Sequence, residues 1–249
     1  MRIVAIGGGE IGRPGTKVET TPIDKEIISL SRKKKPRVLF IPTASHDSEE
    51  YIQIVERHFR KRLGCKVKTL LLCGKKITKR EIKERIMSTD IIYVGGGNTL
   101  KMLQLWRKLG VDKVLKKATQ KEIILSGVSA GAVCWFRYAN SDSQKMIDPS
   151  ADYIRIRCLN FVPLLFCPHF DEEKDRRPSL KGMLKKSKGI AVAVDNCAAL
   201  EIIDNSYRVI TSKSRASVYL CYWKGRKYFM RNLKNIKKLN PLNDLLKPV

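Results

Sequence analysis

The chain has 249 residues, 43% of them apolar and 7% aromatic, and its 50 Lys and Arg against 24 Asp and Glu leave a formal net charge of +26. That length and apolar content suit a globular core, and no apolar run approaches the roughly 18 residues of a membrane span. The N-terminal MRIVAIGGGEIG is too short in apolar residues for a secretory signal, so a cytoplasmic protein with no membrane partner is expected.

Strands and helices alternate along the first half. RIVAIGG (2–8) and RVLFIPT (37–43) are β-branched runs closed by Gly or Pro, which predicts buried strands. SEEYIQIVERHFRKRLG (48–64) has the spacing of an amphipathic helix, with acids at its start, bases at its end and Gly64 to stop it. A strand is expected over 66–73 and a helix over 78–89, opened by Thr78. Residues 90–97 read as a strand ending in three glycines, 98–110 and 111–121 as helices, and 122–127 as a strand. This alternation predicts an α/β protein with a mostly parallel sheet and helices on both faces. The second half is less regular, extended at 152–162, 163–170, 189–194, 198–204 and 208–212 and helical at 177–187. With no repeat or low-complexity linker, residues 1–230 are expected as one domain and 231–249 as a basic tail, docked or loose.

Seven cysteines, an odd number with no C-x-x-C pair, indicate neither a disulfide framework nor a zinc ribbon. The Lys and Arg are spread along the chain, with runs at 31–37 and after Lys224, and no zinc finger or RNP-like motif accompanies them. A solvated basic surface is therefore expected, not a specific nucleic-acid reader. The pattern sets no oligomeric state.

The stretch LSGVSAGAVCW (125–135) breaks an apolar run with Gly127-Val128-Ser129-Ala130-Gly131. G-x-S-x-G between a strand and an apolar helix is the context of a nucleophile elbow. A sharp turn there exposes the Ser129 oxygen at the carboxyl end of the sheet, and the amide after it opens a helix, ready for an oxyanion. Serine needs a base, and there are three histidines. His58 lies in an amphipathic helix among Arg and Lys and reads as a surface or boundary residue. His169 follows the apolar run LLFCP and is the first candidate; His46, after IPTAS, is the second. Asp195, at the end of GIAVAV, is the candidate to orient the base, with Glu201 in reserve; Asp171 and Glu172 are too near His169 in sequence. GGGNT (95–99) reads as an oxyanion-hole loop. Neither it nor the early GGGEIG matches a dinucleotide fingerprint, so no cofactor and no metal are expected.

VGGGNTL, GVSAGA, CPHF and GIAVAVDNCAALEI, in this order and with PTAS and NSDS, resemble the peptidase E family of serine peptidases over roughly residues 1–220. The resemblance implies the three-layer sandwich of class I glutamine amidotransferases, and a Ser–His–Asp/Glu triad falling on Ser129, His169 and Asp195. It places the oxyanion hole on the amides of Gly97 and Ala130. It also implies a short peptide substrate, in the family's best-known case a dipeptide with N-terminal aspartate. Arg176 or Arg177 is then the candidate for a substrate carboxylate and Asp142 for a substrate ammonium. The segment DEEKDRRPSL is shorter here than in the aspartyl dipeptidases, so the aspartate preference stands apart from the peptidase chemistry. The alternative is a noncatalytic small-molecule or nucleic-acid binding protein on the same scaffold.

Overall fold

The computed structural model describes residues 1–74, 76–172, 174–234 and 238–247. The first half runs β1 (Arg2–Ile6), α1 (Thr21–Leu30), β2 (Arg37–Ile41), α2 (Glu49–Glu56), β3 (Lys66–Thr69), α3 (Lys79–Met87), β4 (Ile91–Val94), α4 (Thr99–Leu109), α5 (Val111–Ala118), β5 (Ile124–Val128) and α6 (Ala130–Val133). The second half runs β6 (Phe136–Ser141), β7 (Ile154–Arg157), β8 (Val162–Cys167), α7 (Arg176–Ser187), β9 (Ile190–Val194), β10 (Ala198–Ile203), β11 (Ser206–Thr211), β12 (Val218–Lys224), β13 (Lys227–Leu233), β14 (Asn240–Pro241) and α8 (Asn243–Leu246).

The fold is α/β, with two mixed sheets. One has the order β14-β11-β10-β1-β5-β4-β2-β3 and the other β13-β12-β9-β8-β6-β7. In the first, β1, β5, β4, β2 and β3 are parallel, as the strand–helix alternation requires, and β10 adds antiparallel to β1. Alternate side chains of β1 enter different cores, because successive residues of a strand face opposite ways. Val4 and Ile6 pack with Ile23 and Ile27 of α1 and Ile52 and Val55 of α2. Ile3 and Ala5 join the cluster that holds Met102 and Trp106 of α4, and Phe166 and Val192 of the second sheet. Leu180 and Leu184 of α7 cover that sheet's other face, against Leu165, Ala191 and Ala193.

The less regular second half divides between the two sheets. β6, β7, β8, β9, β12 and β13 build the second sheet, in which β6, β8 and β9 run parallel, while β10, β11 and β14 extend the first beyond β1. Where it is described, the basic segment 231–249 is docked on the fold. β13 runs through Leu233, Asn240–Pro241 pairs with β11, and Leu245 is fully buried in the largest core cluster. Residues 235–237 and 248–249 of that segment lie outside the described residues.

Candidate active site

The elbow forms where β5 meets α6. Ser129 takes φ 54° and ψ −113°, a conformation L-residues rarely adopt, and its amide donates to the Ile6 carbonyl of β1 at 3.0 Å. The flanking glycines make the turn possible. A Cβ at Gly131 would fall 2.0 Å from the Val94 carbonyl oxygen, and one at Gly127 would fall 2.5 Å from that of Gly131. The backbone is packed too closely there for any side chain.

His169 reaches the elbow from the end of β8. Its own backbone is left-handed, its amide donates to Gly7 at 3.2 Å, and Phe170 donates to Val194 at 3.2 Å, so the residue is tied between β1 and β9. The ring's Nε2 lies 2.9 Å from Ser129 Oγ. Its Nδ1 lies 2.7 Å from Oδ1 of Asn196. Asn196 is held by two acids from the loop after His169: its amide donates to Asp171 at 2.8 Å, and its Nδ2 donates to Glu172.

The structure does not bring Asp195 to His169. Asp195 is 3% exposed and accepts the Ser217 amide through Oδ2 at 2.9 Å; its Oδ1 has no hydrogen-bond partner among the described residues. Burial, with Asp171 nearby, pushes its carboxyl up to about 6. Asp195 leaves β9 facing Ser217, and Asn196, in the turn that follows, faces the histidine. Glu201, the reserve, is fully buried on β10 in a forked pair with Arg208 at 2.7 and 3.1 Å.

Ser129 and His169 line a cavity of about 350 Å³ with Gly96, Gly97, Tyr51, Glu10, Arg13 and Glu50 among its walls. Gly96 donates its amide to Tyr51 Oη at 3.3 Å, and burial pushes that phenol up to about 12. The Gly97 and Ala130 amides donate to no other group among the described residues. Gly97 takes φ 132°, and a Cβ there would meet the Ala44 carbonyl at 2.2 Å, so this loop requires glycine.

The residues expected to bind substrate are elsewhere. Arg176 is fully buried, donating to the Asn140 carbonyl at 2.9 Å, with its guanidinium 4.5 Å from the Tyr153 ring and 3.7 Å from Asp142. Arg177 donates to the Phe170 carbonyl at 3.2 Å. None of Asp142, Arg176 and Arg177 lines the Ser129 cavity. The two arginines start α7, which packs on the second sheet's far face, and Asp142 follows β6. Arg13 lines the cavity instead, paired with Glu10 at 2.5 Å. Burial pushes the Glu10 carboxyl up, but hydrogen bonds and charge from Arg13 outweigh it and hold it below its ordinary value. The only signal for these residues was GGGEIGR, whose glycines mark a loop at a sheet end.

The other histidines take no part in this cavity. His46 caps a short turn in left-handed conformation. His58 is 1% exposed, not at the surface, with Nε2 2.9 Å from Asp24, which also accepts the Thr20 hydroxyl at 2.7 Å.

A strained serine at a strand-to-helix elbow, a histidine on its hydroxyl and two adjoining amides form the arrangement of a serine hydrolase. The chain belongs to peptidase family S51, whose pattern matches residues 3–210. It is 36% identical over 220 residues to an uncharacterized peptidase of Bacillus subtilis, YgaJ, covering 88% of this chain and 90% of that one. An uncharacterized peptidase of Listeria innocua, Lin0382, is 32% identical over 140 residues, covering 54% of this chain and 64% of that one. Two solved structures share the fold. A peptidase from an acI-B1 Actinobacterium has a TM-score of 0.70 at 19% identity, covering 96% of both chains. A putative peptidase E protein of Listeria monocytogenes has 0.63 at 21%, covering 84% of this chain and 98% of that one.

Proposed function

We propose that the protein is a serine peptidase acting on short peptides, with Ser129 as nucleophile and His169 as general base. The observation that carries this is the 2.9 Å contact between His169 Nε2 and the oxygen of a serine held in a strained elbow. His169 takes the hydroxyl proton as Ser129 Oγ attacks the scissile carbonyl. The Gly97 and Ala130 amides receive the oxyanion, and His169 returns the proton to the leaving amine. Water then enters by the same route, releasing the acyl group and restoring Ser129.

The walls of the cavity support a small, charged substrate. A volume of about 350 Å³ lies at the low end for ligand pockets and suits a few residues of peptide. Glu10 and Glu50 offer acceptors for a free α-ammonium group, and Arg13 offers a forked donor for an acidic side chain near the N-terminus. Aspartate-initiated dipeptides are therefore the first substrates to try.

Reaction with a fluorophosphonate, followed by mapping of the adduct, tests the nucleophile. Ser129 should carry the label, and Ser129→Ala should lose both label and peptide hydrolysis while keeping its fold. Label on another serine, or turnover persisting in the variant, sinks the assignment. Arg13→Ala should lower kcat/KM for Asp-Xaa dipeptides by roughly 10- to 150-fold, the worth of one charge-assisted contact, and for Ala-Xaa dipeptides by far less. Equal losses on both would remove the acidic preference and leave the peptidase standing.

A further inference from the structure

We propose that Ser143 is a positioning residue for the oxyanion hole, holding the glycine loop 95–97 in place through Asn98. The inference rests on the Ser129–His169 reading above. It gives a role to NSDS (140–143), none of whose residues lines the cavity.

Gly97 can aim its amide at a substrate only if the chain on either side of it is fixed. Glycine restrains its own backbone less than any other residue, so the restraint comes from its neighbours. Before it, the Gly96 amide donates to Tyr51 Oη at 3.3 Å. After it, the Asn98 amide donates to the Ala44 carbonyl at 2.8 Å. The Asn98 side chain is then used at both ends. Its Oδ1 accepts the Lys101 amide at 3.0 Å and caps α4, and its Nδ2 donates to the Ser143 carbonyl at 3.0 Å. Ser143 makes a second link to the same turn, accepting the Leu100 amide through Oγ at 3.2 Å. Ser141 braces Ser143 in turn: their hydroxyls lie 2.8 Å apart, and Ser141 Oγ accepts the Ser143 amide at 3.2 Å. Asn98, Ser141 and Ser143 are all buried, so water cannot take over these bonds.

The two links come from the other sheet. Gly97 follows β4 in the first sheet, the sheet whose β5 carries Ser129, whereas Ser141 ends β6 in the second. One bond would let the first turn of α4 pivot; two bonds from Ser143, to the Asn98 side chain and the Leu100 amide, fix its rotation as well. Asp142, between the serines, turns away to Arg176 at 3.7 Å.

Phosphonylation of Ser129 reads the hole directly. As Ser129 Oγ bonds to phosphorus and fluoride departs, the phosphoryl oxygen takes the place of the oxyanion. Sulfur in that position is a weak acceptor and loses most of the benefit. Labelling rates are measured with a fluorophosphonate and with its P=S analogue, each relative to that reagent's reaction with hydroxide. The wild type should strongly favour oxygen. Ser143→Ala should slow bond formation with the P=O reagent by roughly 10- to 100-fold, the loss expected of donors misplaced by up to about 1 Å. The P=S rate should fall by less than about threefold, with reagent affinity and the acid limb of the pH profile unchanged, since His169 is untouched. Asn98→Ser keeps an oxygen to cap α4 but is too short to reach the Ser143 carbonyl, so the same selective loss is expected. It carries the test if circular dichroism shows that Ser143→Ala does not fold. Equal slowing of both reagents, or a P=O rate within about threefold of wild type in a folded variant, overturns the positioning role alone. A wild type that labels at Ser129 without favouring oxygen removes the oxyanion hole and this role with it, leaving the nucleophile. Absence of label at Ser129 overturns the parent reading and this one together.

Discussion

Asp195 and Gly8 sit one shell outside the Ser129–His169 pair and call for opposite tests. The Asp195 carboxyl titrates at about 6 in the fold against an ordinary 3.8, because burial disfavours its charged form. Between those values the folded state holds more protons than the unfolded state, so stability falls as pH rises through that window. Above it the whole cost, on the order of 3 kcal/mol, is present. Asp195→Asn keeps an oxygen for the Ser217 amide and removes the charge. Its melting temperature should match wild type near pH 4 and exceed it at pH 7, with turnover within a few-fold; a collapse of kcat would restore Asp195 as the triad acid. Gly8→Ala should do the reverse, retaining the fold and losing phosphonylation of Ser129, because its Cβ displaces the histidine and the asparagine.

At the scale of elements, the elbow is the place where packing and chemistry constrain the same few atoms. Gly131→Ala forces a methyl group to 2.0 Å from the Val94 carbonyl, and neither β4 nor α6 can yield, since both are buried. A loss of more than about 3 kcal/mol in urea unfolding is expected. Helix α3 is a contrasting case. Thr78 and Glu81 form a reciprocal capping box, the Thr78 side chain accepting the Glu81 amide at 3.1 Å and Glu81 accepting the Thr78 amide at 2.9 Å. Thr78→Ala should cost about 1 kcal/mol and leave kcat alone, because that helix contributes nothing to the cavity walls.

For the whole molecule, charge is the dominant property. No Asp or Glu occurs in 176–194 or in 205–243, the stretches that build α7, β9 and the β12–β13 hairpin. Lys181 and Lys185 stand about 6 Å from the Trp223 ring there, adding to a basic, partly aromatic face. Polyanions should bind this surface weakly, without sequence preference, and with a steep salt dependence read as the slope of log affinity against log salt. A complex that survives physiological salt and favours one sequence would overturn this. No helix among the described residues is long and apolar enough to cross a membrane.

What the sequence determined by itself was local. β-branched runs closed by Gly or Pro gave the parallel strands, and two glycines around Ser129 gave the elbow, because both depend on residues within a few positions of one another. His169 was legible for the same reason, as a polar residue fixed at the end of an apolar strand. The partners of that histidine were not. Asp195 and Asn196 are adjacent, and only the direction in which the chain leaves β9 decides which one meets the ring. Arg176 and Arg177 were candidates through the family resemblance, and no local pattern showed that Arg13 lines the cavity while they do not. The sheet order brings residues 8, 13, 129, 169 and 196 together past the carboxyl ends of β1, β5, β8 and β9, while Arg176 at the start of α7 bonds to Asn140. Such meetings depend on pairing between strands far apart in the chain, and no local pattern encodes that.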